Sequence, residues 1–218
     1  MSYPQPLLLV IDLNGTLVHR PLRNQPKHII RRPFLAQFLA HLLASFHVMI
    51  WSSARPENVH AMVGQILTPQ QREQLAAVWA RDTLGLSEHE YKRKVQTYKR
   101  LSQVWASEDI QRTHPDYDPR DAREGTGWSQ RNTLLLDDSS IKAQAEPYNL
   151  VQISEFENKR PQKLADELAE VIGYLEEAKW YENVSAFVRA KRFRVGKGWR
   201  WDWKVGTEGY AGDGSAAN

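Results

Sequence analysis

Three apolar runs in this chain each end in a cluster of small polar or acidic residues, and that recurrence limits the fold more than any other feature. The first, Leu7 to Ile11, runs into Asp12, Leu13, Asn14, Gly15 and Thr16. The second, His47 to Trp51, ends in Ser52-Ser53-Ala54-Arg55-Pro56, and the third, Leu134 to Leu136, ends in Asp137-Asp138-Ser139-Ser140. Short apolar runs of this kind read as strands buried on both faces, and the ligand crevice of an open parallel sheet lies beyond the carboxyl ends of such strands. Taken singly, each cluster has an ordinary explanation. Asp12 caps a turn, Asp-Asp-Ser opens a helix, and Ser52 or Ser53 caps the helix that begins near Pro56. Taken together, two strands aim carboxylates at one crevice. Adjacent carboxylates repel unless a cation neutralises them, and an all-oxygen set with no Cys or paired His nearby suits Mg²⁺ better than zinc. The hydroxyls and N–H groups after Trp51 suit a phosphate oxygen. Lys99, between the second and third clusters, is a plausible point charge for a phosphate and two acids.

The order Asp-x-Asn-Gly-Thr, strand ending in Ser, Lys, Asp-Asp resembles the four motifs of the haloacid dehalogenase superfamily. More narrowly it resembles the FCP/SCP branch of carboxy-terminal-domain phosphatases. The residues that carry this likeness are LLLVIDLNGTLVHRP, VMIWSSA, Trp79-Ala80-Arg81-Asp82, Tyr98-Lys99-Arg100-Leu101 and LLLDDSSIKAQAEPYNLVQI, spread from Leu7 to Ala178. The resemblance implies an α/β fold, a Rossmann-like doubly wound parallel sheet with a small cap-like insertion. It implies Asp12 as the nucleophile that becomes an aspartyl phosphate, splitting one hard step into two. It places Mg²⁺ on Asp12, the backbone carbonyl of Asn14 and the pair Asp137/Asp138, with Asp138 as the direct ligand. Ser52 and Lys99 then hold the phosphoryl oxygens, Thr16 and Ser53 lie on the substrate side, and Arg81 adds a further contact. The implied substrate is phosphoserine or phosphothreonine in a flexible protein segment.

Asn14 departs from the pattern. Active members resembling this sequence carry a second Asp there, which protonates the leaving oxygen and then deprotonates the attacking water. An amide cannot exchange that proton, and general acid–base help is worth about 10²–10⁴-fold. Three accounts stay open: a naturally impaired enzyme or phosphoprotein-binding module, a member that recruits another acid or acts on good leaving groups, and an engineered substitution.

The 218 residues, 41% hydrophobic, suffice for one domain with a sizeable core, expected over residues 1–180 with a tail over 181–218. Absence of Cys excludes disulfides, thiolate metal sites and cysteine-phosphatase chemistry. No apolar run reaches the ~20 residues of a membrane span, so the chain reads as an intracellular, nuclear or cytoplasmic protein. Phe34, Leu35, Phe38, Leu39, Leu42 and Leu43 predict an amphipathic helix after Pro33. Asn149 to Ile153 predicts a strand, and Pro161 opens a helix carrying Leu164, Leu168, Val171 and Leu175. His41 and His47 read as structural rather than ligating.

Two insertions are expected. Residues 65–95, with Leu75, Val78 and Trp79 at helical spacing, read as the cap, and residues 106–131 as a loop long enough to cover the site. The segment Arg189 to Lys204 holds seven Lys/Arg against one Asp, whereas the whole chain carries only +3. Phe193, Trp199, Trp201 and Trp203 interleaved with Arg could stack on nucleobases or bind an acidic protein. The favoured reading is that Trp180, Val184, Phe187 and Val188 continue a helix on the domain and the tryptophans fold back on it. The final Gly-Ser-Ala segment is expected to be disordered.

Overall fold

The sheet is built from the predicted apolar runs. In the computed structural model, which describes residues 3–22, 28–120 and 126–203, strands β1 (Leu8–Ile11), β4 (His47–Trp51), β5 (Ala77–Trp79), β6 (Thr133–Asp137) and β7 (Leu150–Gln152) form one sheet in the order β5-β4-β1-β6-β7. Every pairing is parallel. A two-stranded antiparallel ribbon, β2 (Val18–His19) with β3 (Ile30–Arg31), stands just after the β1 loop. Because the chain leaves β1 toward β4 and β5 and then returns to β6 on the other side, the strand order reverses beside β1. That reversal opens the crevice where doubly wound sheets bind ligands.

Helices cover both faces. On one side pack α1 (Leu35–Ser45), α2 (Pro56–Ile66), α8 (Glu167–Ala178) and α9 (Val184–Ala190). The other side is covered by α5 (Leu101–Ala106), α6 (Glu108–Gln111) and Trp128. Alternation along β1 feeds both layers: Leu7, Leu9 and Ile11 join the first core, Leu8 and Val10 the second. Further short helices among the described residues are α3 (Pro69–Glu73), α4 (Glu88–Lys92) and α7 (Arg160–Leu164). Among the described residues no helix is long and apolar enough to cross a membrane.

Several local expectations are corrected. The helical spacing of Leu75, Val78 and Trp79 gives way to strand β5, since the carboxyl half of β4 offers an open edge that Ala77–Trp79 pairs with. The part of residues 65–95 that follows β5, including α4, is tied back through Arg81 to the turn after β4. Phe34 is not on the α1 face: it is the left-handed N-cap residue (φ 62°) and stacks on Trp203 instead. Leu164 is exposed in α7, and the long helix restarts at Asp166, whose carboxylate accepts the Ala169 N–H. The 106–131 loop does not cover the crevice with its anchoring residues. Trp128 packs on His47 and His114, and Trp105 Nε1–H donates to Thr133 Oγ1, all at the amino ends of the strands. Residues 121–125 of that loop, Lys204 and the final Gly-Ser-Ala segment lie outside the described residues.

The tryptophans of the basic segment do fold back. Trp199 meets Tyr174 edge-on, Trp201 packs on His41, and Trp203 Nε1–H donates to Asp166. Trp180, by contrast, precedes α9 and is largely exposed. Gly173, inside α8, permits this packing, because a Cβ there would lie 2.5 Å from the Arg200 carbonyl oxygen. Gly→Ala inside a helix ordinarily stabilises by roughly 0.5–1 kcal/mol. Gly173→Ala is expected to reverse that sign, lifting the Trp199–Trp203 segment off α8, lowering the melting temperature and red-shifting tryptophan emission. An unchanged emission spectrum with a raised melting temperature would show that the segment does not need the glycine.

Candidate active site

The parallel register alone brings the acids together. Asp12 follows Ile11, which pairs with Leu136, so Asp12 and Asp137 are neighbours at the carboxyl ends of β1 and β6, and the Asp12 N–H donates to the Leu136 carbonyl. Asp12 and Asp137 are buried and Asp138 is half-buried. One carboxylate oxygen from each of the three lies within 4.8 Å of the others, the spacing of a cation site.

Two ammonium groups close the cluster. Lys99 Nζ, itself 1% exposed, donates to Asp12 Oδ1 and Asp137 Oδ2, both at 2.7 Å. Lys142 Nζ lies 3.0 Å from Asp137 Oδ1, 3.3 Å from Asp12 Oδ2 and 3.4 Å from Asp138 Oδ1. Burial by itself would raise the Asp137 pKa, but the two lysines outweigh it and hold that carboxyl below the ordinary carboxylate range. Asp138 goes the other way. Burial, reinforced by the charges of Asp12 and Asp137, pushes it up to about 6 against the pull of Lys142. The same three carboxylates raise the pKa of Lys142 despite its burial.

The loop after Asp12 is shaped by a glycine and clamped by an arginine. Gly15 has φ 93°, a backbone conformation that strains any other residue, and a Cβ there would lie a tight 3.0 Å from Asp138 Oδ2. Arg32 Nε donates to the Thr16 carbonyl at 2.7 Å. Its two other nitrogens reach the carbonyls of Gly15 and Ser154 and the carboxylate of Glu167. Glu167 in turn accepts from the N–H and hydroxyl of Ser154, and the Phe156 ring lies 5.0 Å from the guanidinium. Thr16 Oγ1 donates to Asp138 Oδ1 and accepts the Asp138 N–H, tying the two loops together.

The remaining predicted residues make contacts of their own outside this cluster. Ser52, buried, follows β4, and its hydroxyl accepts the Ala54 N–H at 3.3 Å. The Ser53 carbonyl accepts from Arg81 Nη1 at 3.4 Å. The Arg81 guanidinium also donates to the carbonyls of Glu90, Tyr91 and Arg93, so it braces α4 against the turn after β4. Asn14 is exposed, and its side-chain oxygen accepts the Arg20 N–H at 2.9 Å, closing the turn into β2. His41 pairs with Glu176 and His47 sits against Trp128, both away from the acids. Sequence reading passed over Lys142, Arg32 and Glu167. Only Lys142 left a signal, four residues after Asp138; nothing local marks Arg32 or Glu167, which meet across 135 residues.

The strand order and this cluster define the class of doubly wound parallel α/β proteins with an acidic site at the carboxyl ends of the strands. Within it, the chain belongs to the family described as NLI interacting factor-like phosphatase, which it matches over residues 7–186. It is 37% identical over 198 residues to a Schizosaccharomyces pombe protein named as an uncharacterized FCP1 homology domain-containing protein, covering 86% of this chain and 78% of that one. It is 23% identical over 175 residues to the ubiquitin-like domain-containing CTD phosphatase 1 of Danio rerio, covering 80% of this chain and half (50%) of the relative. Among solved structures, Fcp1, described as an essential RNA polymerase II CTD phosphatase, aligns with a TM-score of 0.47 at 16% identity over 88% of this chain and 55% of that one. L-2-haloacid dehalogenase from Xanthobacter autotrophicus aligns with a TM-score of 0.44 at 10% identity, over 85% of this chain and 88% of the other.

Removing one partner of a buried ion pair costs about 3–5 kcal/mol, because the other charge is left uncompensated. Arg32→Ala is therefore expected to lower the urea midpoint sharply, and Arg32→Ala with Glu167→Ala to lose less than the sum of the two single variants. Additive losses in equilibrium unfolding would dissolve the clamp into independent contacts.

Proposed function

We propose that this chain is a Mg²⁺-dependent phosphomonoester hydrolase in which Asp12 is the nucleophile and a phosphoserine or phosphothreonine side chain in a protein segment is the substrate. The observation that carries this reading is the convergence of Asp12, Asp137, Asp138 and Lys99 at one strand-end crevice in a member of a phosphatase family. In the proposed reaction a carboxylate oxygen of Asp12 forms a bond to phosphorus as the seryl or threonyl oxygen leaves with the electron pair. Water then attacks the aspartyl phosphate, releasing inorganic phosphate and restoring the carboxylate, and one proton passes overall from water to the departed oxygen. Lys99 fixes the orientation of Asp12 and supplies positive charge beside it, which is the main demand of phosphoryl transfer.

The donor set fits a hard divalent cation: Asp12, Asp138, Asp137 and the Asn14 backbone carbonyl would hold Mg²⁺, with Asp138 as the direct ligand and Asp137 tied to Lys99. When bound, it supplies charge neutralisation at the phosphoryl oxygens. Ser52 and the N–H groups of the following turn bind the same group from the β4 side, with Ser53 next to them. Thr16 positions Asp138, and Arg81 shapes the substrate-side wall by holding α4 in place. A relative named a CTD phosphatase supports a phosphorylated protein segment as the substrate class.

Asn14 favours slow turnover, and it also supports a second reading as a phosphoprotein-binding module that retains the pocket. Nucleic acid is the less favoured partner for the basic segment, because its tryptophans are engaged by α1, α8 and Asp166. Phosphate release from a phosphoserine peptide, followed with and without Mg²⁺, separates enzyme from module. Asp12→Asn is expected to abolish release and phosphoenzyme formation. Asn14→Asp retains an oxygen acceptor for Arg20 and adds a proton carrier, so turnover is expected to rise by about a hundredfold or more, most on poor leaving groups. Release that survives Asp12→Asn would eliminate the aspartyl-phosphate route. Peptide binding without release, in the natural chain and in the Asn14→Asp variant alike, would favour the module.

A further inference from the structure

Lys142 touches one oxygen of every member of the carboxylate triad, at 3.0, 3.3 and 3.4 Å. Asp12, Asp137 and Asp138 are the one group of metal-binding spacing found among the described residues. A cation bound between these carboxylates would draw on the same three residues. The two lysines divide the oxygens: Lys99 takes Asp12 Oδ1 and Asp137 Oδ2, whereas Lys142 takes Asp12 Oδ2 and Asp137 Oδ1. They differ in exposure of the side chain. Lys99 is 1% exposed and fully enclosed, but Lys142 retains 15% exposure, on a four-carbon stem that opens toward solvent. The Lys142 backbone is separately fixed, since its carbonyl accepts the Lys99 N–H at 2.8 Å. Its side chain can therefore leave the triad while its backbone stays in place.

We infer that Lys142 is the resident cation of the carboxylate triad, holding the position of the divalent ion until that ion displaces it. The inference rests on reading the triad as the metal site. With three carboxylates and only Lys99, the metal-free crevice would carry a net charge of two negatives in a buried setting; the second ammonium reduces that to one. The same contact engages Asp12 Oδ2, so both oxygens of the nucleophile are held by ammonium groups before metal enters. Displacement of Lys142 passes one of them to the divalent ion, since Asp12 is itself one of the residues that would hold it. The consequence for affinity is direct: a divalent ion must compete with an intramolecular charge, and its apparent affinity falls by the fraction of molecules in which Lys142 has swung out.

Calorimetric titration of the full chain with MgCl₂ tests this, using the natural protein, Lys142→Met and Lys142→Arg. Lys142→Met keeps the apolar stem and removes the charge, so it is expected to bind Mg²⁺ about tenfold or more tighter. It is also expected to melt lower than the natural protein in EDTA and to gain more from added Mg²⁺. Lys142→Arg keeps the charge and is expected to retain the weaker affinity. Should Lys142→Met not fold without metal, labelling of lysine amines in the natural chain gives the same answer by mass spectrometry. Lys142 is expected to be protected in EDTA and to become reactive when Mg²⁺ is added. Unchanged or weaker Mg²⁺ affinity in Lys142→Met, or labelling of Lys142 indifferent to Mg²⁺, would overturn the inference. Phosphate release is read separately: tighter metal binding without release leaves Lys142 in this role and rejects the phosphatase reading, whereas release with unchanged affinity does the reverse.

Discussion

Buried carboxylates at the ends of β1 and β6 are tolerable only because two ammonium groups meet them, and much of the molecule is arranged to deliver those four elements to one point. An isolated charge in a low-dielectric interior is penalised by several kcal/mol, and the penalty falls only with close, well-oriented partners. Lys99 enters from the segment before α5, and Lys142 from the turn after β6. Their backbones are joined by the Lys99 N–H to the Lys142 carbonyl, so the two cations are placed by a single local contact. The pairing also makes the three carboxylates unequal. Asp137, held by both lysines, stays below the ordinary range, whereas Asp138, with less compensation, is pushed up to about 6.

A second buried charge holds the loop that follows Asp12. Arg32 donates to the carbonyls of Gly15, Thr16 and Ser154, the first of which also accepts the Phe156 N–H, and Glu167 balances its charge. Desolvation pulls the Arg32 pKa down while Glu167 pulls it up, yet the guanidinium retains its charge at any physiological pH. Arg suits this position where Lys would not. Only a planar fork of donors can reach three carbonyls and a carboxylate together. The clamp connects the first turn of α8 to the β1 loop, so the helix that closes the domain also fixes the site.

The charge-rich carboxy-terminal segment shows how composition and role part company. Its arginines and tryptophans have the makings of a nucleic-acid surface, but the rings are occupied: Trp199 on Tyr174, Trp201 on His41 and Trp203 on Phe34 and Asp166. Aromatic rings buried against a helix contribute hydrophobic area to the fold and present less of their faces to a base. The guanidiniums remain outside, which leaves positive charge on that flank without a stacking platform.

The amino-acid order by itself determined four of the five sheet strands and the identity of the acids. Leu7 to Ile11, His47 to Trp51 and Leu134 to Leu136 are apolar on both faces, which only a covered parallel sheet accommodates, and parallel register then sets Asp12 beside Asp137. The likeness to a phosphatase family was legible for the same reason: its chemistry sits at strand ends, where spacing in the chain maps directly onto position in space. What the tertiary structure decided is everything that depends on long-range partners. Val78 and Trp79 became strand because β4 presented an open edge, overriding their helical spacing. Trp128 of the 106–131 segment went to the amino ends of the strands because it found His47 and His114 there. Arg32 and Glu167 gained their roles only on meeting across the fold, and Lys142 only when β6 carried it over the triad. Periodicity reports which face of an element is apolar; it carries no information about which distant charge a buried charge will meet.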